Sequence, residues 1–167
     1  MEATKKNAHL RPALLIAVVM LGIHTWIHTR GLGLNPSMLL AATLPMVIGI
    51  FYNTWQHARV TPGSTFGTNF AYGFRIASVI TVIMVLFVVI FFKAFPGYKD
   101  HLVEALQRSV DRRSSGMDDE AVSKAIQDWD QHFTQRIVTI YIFLHLVTGA
   151  VAAALAALVS TRKTKTD

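Results

Sequence analysis

Long apolar stretches alternate along this chain with short polar ones, and the most apolar of them sets the scale. Residues 76–92, IASVITVIMVLFVVIFF, carry no charge and only Ser78 and Thr81 as polar interruptions. At about 1.5 Å of rise per residue this run covers roughly 25 Å. The apolar lead-in at 70–74 extends it past the ~30 Å hydrocarbon core of a bilayer. Backbone N–H and C=O groups in lipid have no water to bond and must pair within their own segment, so the other apolar runs are predicted to be helices too. The pattern gives four spans, near residues 12–29, 38–55, 69–95 and 137–160. Pro12 suits a helical first turn, Pro45 predicts a kink in the second span, and Pro96-Gly97 closes the third. Turns at 30–37 and 57–67 separate the spans, and Tyr52 and Trp55 are placed as interfacial anchors.

Residues 97–136 form the one sizeable extramembrane segment. Leu102, Val103, Leu106 and Val110 recur at helical spacing until Ser114-Ser115-Gly116 breaks the pattern. A second helix is expected from Asp118, with Val122, Ile126, Trp129 and Phe133 on one stripe. Two such helices make an αα-hairpin that buries its stripes on each other or on the membrane face; the alternative is a linker with transient helicity. The expected fold is an all-α integral membrane protein, a single four-span domain over 1–167 with the hairpin at 97–136 inserted between the third and fourth transmembrane helices.

Composition agrees with this pattern: 52% of residues are hydrophobic and 16% charged, against about 25% charged in a soluble domain. The chain has no cysteine, which excludes disulfides, thiolate zinc sites, Cys-ligated iron–sulfur clusters and covalent haem attachment. A net charge of +6 is spread between apolar runs and termini, so the bilayer's anionic headgroups are the expected partner and nucleic acid is not. Lys5 and Lys6 before an apolar run also describe a signal peptide, but HTWIHTRGLG offers no small-residue cleavage site, and an uncleaved first span is expected. Basic residues divide equally between the two sides. Those on the side of the termini sit close against the spans, whereas those of the hairpin are diluted by most of the chain's acids. Both termini are therefore expected in the cytoplasm, in a bacterial inner membrane.

The block TFGTNFAYGFRIASVITVIMVLFVVIFFKAFPGYKDHLVEALQ is followed by Gly116-Met117-Asp118-Asp119-Glu120 at a helix start and by a final apolar helix with a basic tail. Together these resemble the bacterial family catalogued as domain of unknown function 4199. The resemblance runs from about Thr61 onward and implies a small membrane protein with four spans and an extramembrane insertion before the last. It implies no activity.

Candidate chemistry rests on polar residues inside the spans, which are costly in lipid. His24 and His28 share one face of the first helix, and His145 in the fourth is expected at the depth of His24. Imidazoles from two helices at one depth can axially ligate a b-type haem or join a small metal site. The alternative is hydrogen bonding across helices, with His28 at the interface beside Arg30. Arg75 either contacts an anionic substrate or snorkels to lipid headgroups, and its aliphatic stem favours the second. Gly149, Ala153 and Ala157 repeat every four residues, the small-xxx-small pattern of close helix packing, and Tyr141 and His145 extend that face.

No nucleophile–base pair, P-loop, dinucleotide fingerprint or paired intramembrane carboxylate is present. Two classes of function remain. The first, which the polar pattern favours, is a non-enzymatic scaffold, assembly factor or accessory subunit of an inner-membrane complex, or a homo-oligomer. Its hairpin would meet a partner through Trp129 and Phe133, residue types that dominate interfaces. The second is a histidine-based haem- or metal-binding redox or transport protein built on His24, His145 and Arg75.

Overall fold

A computed structural model describes residues 7–32, 35–111 and 119–163, and every element among them is a helix. In chain order these are α1 (Leu10–Thr29), α2 (Pro36–Ala42), α3 (Leu44–Val60), α4 (Phe66–Ala94), α5 (Pro96–Asp111), α6 (Asp119–Gln131) and α7 (Phe133–Lys163). Four stretches are long and apolar enough to cross a membrane: Leu10–Thr29, Ser37–Val60, Phe66–Ala94 and Phe133–Thr161. The basic tails with Lys5, Lys6 and Lys165, the turn at 114–116, the helix start at Asp118 and the side chains of Leu106 and Val110 lie outside the described residues.

Local chemistry decides where the apolar stretches break. α1 ends in a left-handed glycine cap: Gly31 has φ of 68°, its N–H donates to the His28 carbonyl at 3.0 Å, and Leu32 N–H donates to that of Ile27 at 3.0 Å. At the kink expected from Pro45 the helix is interrupted at Thr43 alone, whose backbone stays in the helical region. Proline has no N–H for the carbonyl four residues back and its ring crowds that group. Thr43 caps α2 instead, its N–H and Oγ1 both donating to Leu40 O at 3.1 and 2.7 Å. The same stretch runs on to Val60, past the expected end at 55, because its polar residues find partners on the helix surface. Gln56 Nε2 donates to Tyr52 Oη at 2.8 Å, and the Arg59 guanidinium lies 4.0 Å from the centre of the Trp55 ring.

The third span ends before Pro96 as expected, while the starts of the third and fourth lie earlier than expected. A capping box of Thr65 and Thr68 starts α4, and only Phe95 separates its end from α5, so Pro96 opens a new helix rather than leaving helical structure. The first helical position tolerates proline because its N–H has no intrahelical partner there. α7 starts at Phe133 instead of 137, since no breaker intervenes. His132 alone separates it from α6: its N–H donates back to Asp128 O at 3.1 Å, and its carbonyl accepts from Arg136 N–H at 3.0 Å.

α4 packs against α7, α3 and α1, and α3 packs against α7 and α1, so α1 and α7 face each other across the bundle. Met20, Met46, Ile50, Ile76, Ile80 and Met84 fill the core. The outward faces are equally apolar, with Leu15, Val18, Ile48, Val82, Phe143 and Val151 exposed. α5 and α6 pack on each other beyond the bundle, joined by an ion pair of 2.8 Å from Lys99 Nζ to Asp130.

Backbones approach most closely between α4 and α7. Gly149 lies against Ala77 and Met46, and a Cβ placed on Gly73 would sit 2.5 Å from Thr54 Oγ1 and 2.9 Å from Ala153 Cβ. Ala153 and Ala157 are fully buried on the same stripe of α7. Overpacking a filled interior costs about 1–3 kcal/mol, and a leucine at Gly149 is expected to reach at least that range. Leu158→Ala, on the exposed face, and Gly22→Ala, whose new methyl meets nothing within 4 Å, should change stability little. Thermal denaturation in one detergent compares them; a Gly149→Leu protein as stable as wild type contradicts the close approach.

Candidate functional site

Two pairs of aromatic polar residues at helical i,i+4 spacing, His24 with His28 on α1 and Tyr141 with His145 on α7, face each other where these helices meet. All four are buried. The His24 ring centre lies 5.7 Å from that of Tyr141 and 6.1 Å from that of His145, and Tyr141 stacks on His145 at 5.3 Å. His28 Nε2 meets the Tyr141 hydroxyl at 3.2 Å, a hydrogen bond joining α1 to α7. Phe91 and Phe92 of α4 flank the His28 ring at 5.2 and 5.4 Å.

Backbone carbonyls select the tautomers. His24 Nδ1 lies 2.9 Å from Met20 O, and His145 Nδ1 lies 2.7 Å from Tyr141 O. A carbonyl only accepts, so each Nδ1 carries the hydrogen, and Nε2 of the neutral ring keeps a lone pair. On His145 that nitrogen is sealed inside the bundle with no hydrogen-bond partner. No Asp, Glu, Lys or Arg is buried among the described residues, so these three imidazoles and Tyr141 are the titratable groups of the interior.

This tautomer suits metal ligation, but the packing does not suit haem. With the His24, Tyr141 and His145 rings in mutual contact, the space a porphyrin needs between two axial imidazoles is filled. No group of three or more His, Cys, Asp or Glu among the described residues has the geometry to hold a metal ion. His28, expected at the interface, is instead the link between the buried cluster and a cavity of about 660 Å³ at the α1 and α5 end of the bundle. Thr29, Phe95, Tyr98, His101 and Leu102 line that cavity with it.

The other candidates lie elsewhere. Arg75 is exposed on α4 and forms no ion pair among the described residues. Phe133 is buried edge-on against Phe92 at 5.0 Å, so its ring is not presented to a partner. Trp129 is half-buried 5.9 Å from Phe133, with the Arg136 guanidinium 5.8 Å from its ring centre and Arg136 also paired to Asp128. These contacts fasten α6 to the bundle. Sequence reasoning missed a second buried polar group at the opposite end, where Thr54 Oγ1 and Asn69 Oδ1 have no partner and Asn69 Nδ2 donates to Ser64 Oγ at 3.4 Å. Lone Thr and Asn residues carry no periodic signal that could have found them.

Removing the hydroxyl that joins α1 to α7 tests the cluster. Tyr141→Phe keeps the ring contacts but leaves His28 Nε2 without its partner, a loss of about 1–3 kcal/mol. A lowered melting temperature in detergent is expected, and an unchanged one would show that the hydroxyl contributes nothing there.

No curated protein and no solved structure matches the chain. A family profile matches residues 12–162 and so takes in the first two spans as well as the later block on which the sequence resemblance rests. With nearly all of its length matched, the chain belongs to the family described as Protein of unknown function (DUF4199).

Proposed function

We propose that this is a non-enzymatic, four-span integral membrane protein in which the His24–His28–Tyr141–His145 cluster is a proton-accepting site at the centre of a histidine-based transport function. The observation that carries this reading is the Nε2 of His145, buried without a partner while its Nδ1 is committed to the Tyr141 carbonyl. An unpaired buried acceptor costs about 1–3 kcal/mol, and ionisable groups inside a membrane bundle mark ion and proton pathways. Insertion in the bilayer is supported by the apolar outward faces of the four long helices, since a water-exposed surface of this kind drives association. Histidine-selective ¹⁵N NMR of the full chain in nanodiscs is the test: the His145 ring signals should move on acidification, and Leu102→Trp, which plugs the cavity, should slow that exchange. A His145 ring that keeps one set of shifts throughout the pH range in which the protein stays folded would refute the site.

A second reading, the accessory subunit of an inner-membrane complex, is favoured by the groove between α5 and α6. There Val103, Val122 and Ile126 are only half-buried. With both termini cytoplasmic, as the density of basic residues suggests, this groove faces outward. Single cysteines at Ser123, beside the groove, and Pro62, in the opposite loop, address both points under a membrane-impermeant label. Ser123→Cys should react from outside and Pro62→Cys should not; the reverse pattern inverts the orientation. A partner seated in the groove should protect Ser123→Cys in native membranes but not after purification, and equal reactivity in both would remove the accessory reading.

A further inference from the structure

Among the described residues, the buried side-chain atoms without a hydrogen-bond partner are His145 Nε2, Thr54 Oγ1 and Asn69 Oδ1. They belong to α7, α3 and α4 and lie inside one bundle. Gly149 lies against Ala77, and Gly73 against Ala153, which sets the antiparallel register of α4 and α7. In that register His145 comes level with Thr81, one turn toward the α5 end. Asn69 comes level with Ala157, one turn beyond Gly73 toward the loop that holds Ser64. Thr54 touches the Gly73 position between them.

Two groups of buried polar side chains therefore lie along the bundle axis. His28, Tyr141, His24, His145 and Thr81 extend inward from the cavity. Thr54 and Asn69 lead to Ser64, at the edge of the exposed turn at Pro62 and Gly63. Between the groups lies the apolar core, in which Met46 touches the Gly149 and Ala77 seam and Met20, Ile50, Ile76 and Ile80 are also fully buried. Ala77 and Gly149 are small, and Met46 and Met20 are the flexible side chains among those that fill this core. A constriction of this kind is closed while dry and opens when water enters.

We propose that the bundle is a proton pathway through the membrane, entered at the His28 cavity, gated by the apolar core layer around Met46 and Met20 and left past Thr54 and Asn69. It rests on the reading of the histidine cluster as a proton-accepting site. In the central step the lone pair on His145 Nε2 takes a proton from a hydronium ion arriving from the cavity side. An N–H bond forms, an O–H bond breaks, and a neutral water remains. Nδ1 stays bonded to the Tyr141 carbonyl, so the same proton leaves from Nε2, to water on the far side once the layer has wetted. Thr54 and Asn69 supply the unsatisfied oxygens that hold that water, and no other reactant is needed.

The full chain in liposomes with an entrapped pH dye and an imposed potassium diffusion potential tests the pathway. Wild type should move protons faster than protein-free liposomes, and His145→Asn should lose that flux. Thr54→Val should also lose it; the change keeps the side chain's shape and removes a hydroxyl that bonds nothing, so the protein should melt no lower than wild type. Undiminished flux in Thr54→Val would overturn the inner half of the pathway and with it the proposal. Absence of wild-type flux while the His145 ring still titrates by NMR would overturn the pathway and leave the site standing. Absence of both flux and titration would overturn the two together.

Discussion

Close backbone approach between α4 and α7 is the constraint on which the rest of the arrangement depends. Without a hydrophobic drive between helices in lipid, association relies on packing, and small residues allow it. Gly149 against Ala77 and Gly73 against Ala153 bring these two helices together along their length. With α3 also packed on both, α1 is left across the bundle from α7. That remaining diagonal is spanned by side chains, and the chain places imidazoles and a phenol there. The polar cluster thus occupies the place where the small-residue seam leaves width.

Apolar length made the four long stretches legible, because a run such as 76–92 admits little else. Their ends were less so. Arg59 read as a loop residue and Gln56 as lying past the span, yet their partners on Trp55 and Tyr52 let α3 continue. Gln135 and Arg136 read as extramembrane, and the helix passes through them regardless because polarity does not stop a helix without a breaker. The small-residue stripe was visible as a period of four, whereas its neighbours Ala77 and Met46 required the fold.

The candidate site was half legible. Histidine spacing placed His24 and His28 on one face and set His145 at a matching depth, and those rings do lie 6.1 Å apart between His24 and His145. The hydrogen bond of Tyr141 to His28 depends on how α1 and α7 are disposed across the bundle, which local patterns do not encode. Nor does a stripe say what covers it. Trp129 and Phe133 have the residue types of an interface, but Phe133 opens α7 and packs edge-on against Phe92.

The one-residue junction between α6 and α7 has a mechanical consequence. From Asp119 to Lys163 the chain leaves helix only at His132, whose N–H bonds back into α6 and whose carbonyl accepts from α7. Trp129 and Arg136 brace this junction from both sides. A single residue thus ties α6, beyond the bundle, to the helix that carries Tyr141, His145 and Gly149. With no slack linker to absorb a displacement of α6, a push on the groove it shares with α5 becomes a tilt or rotation of the helix that holds the buried imidazole.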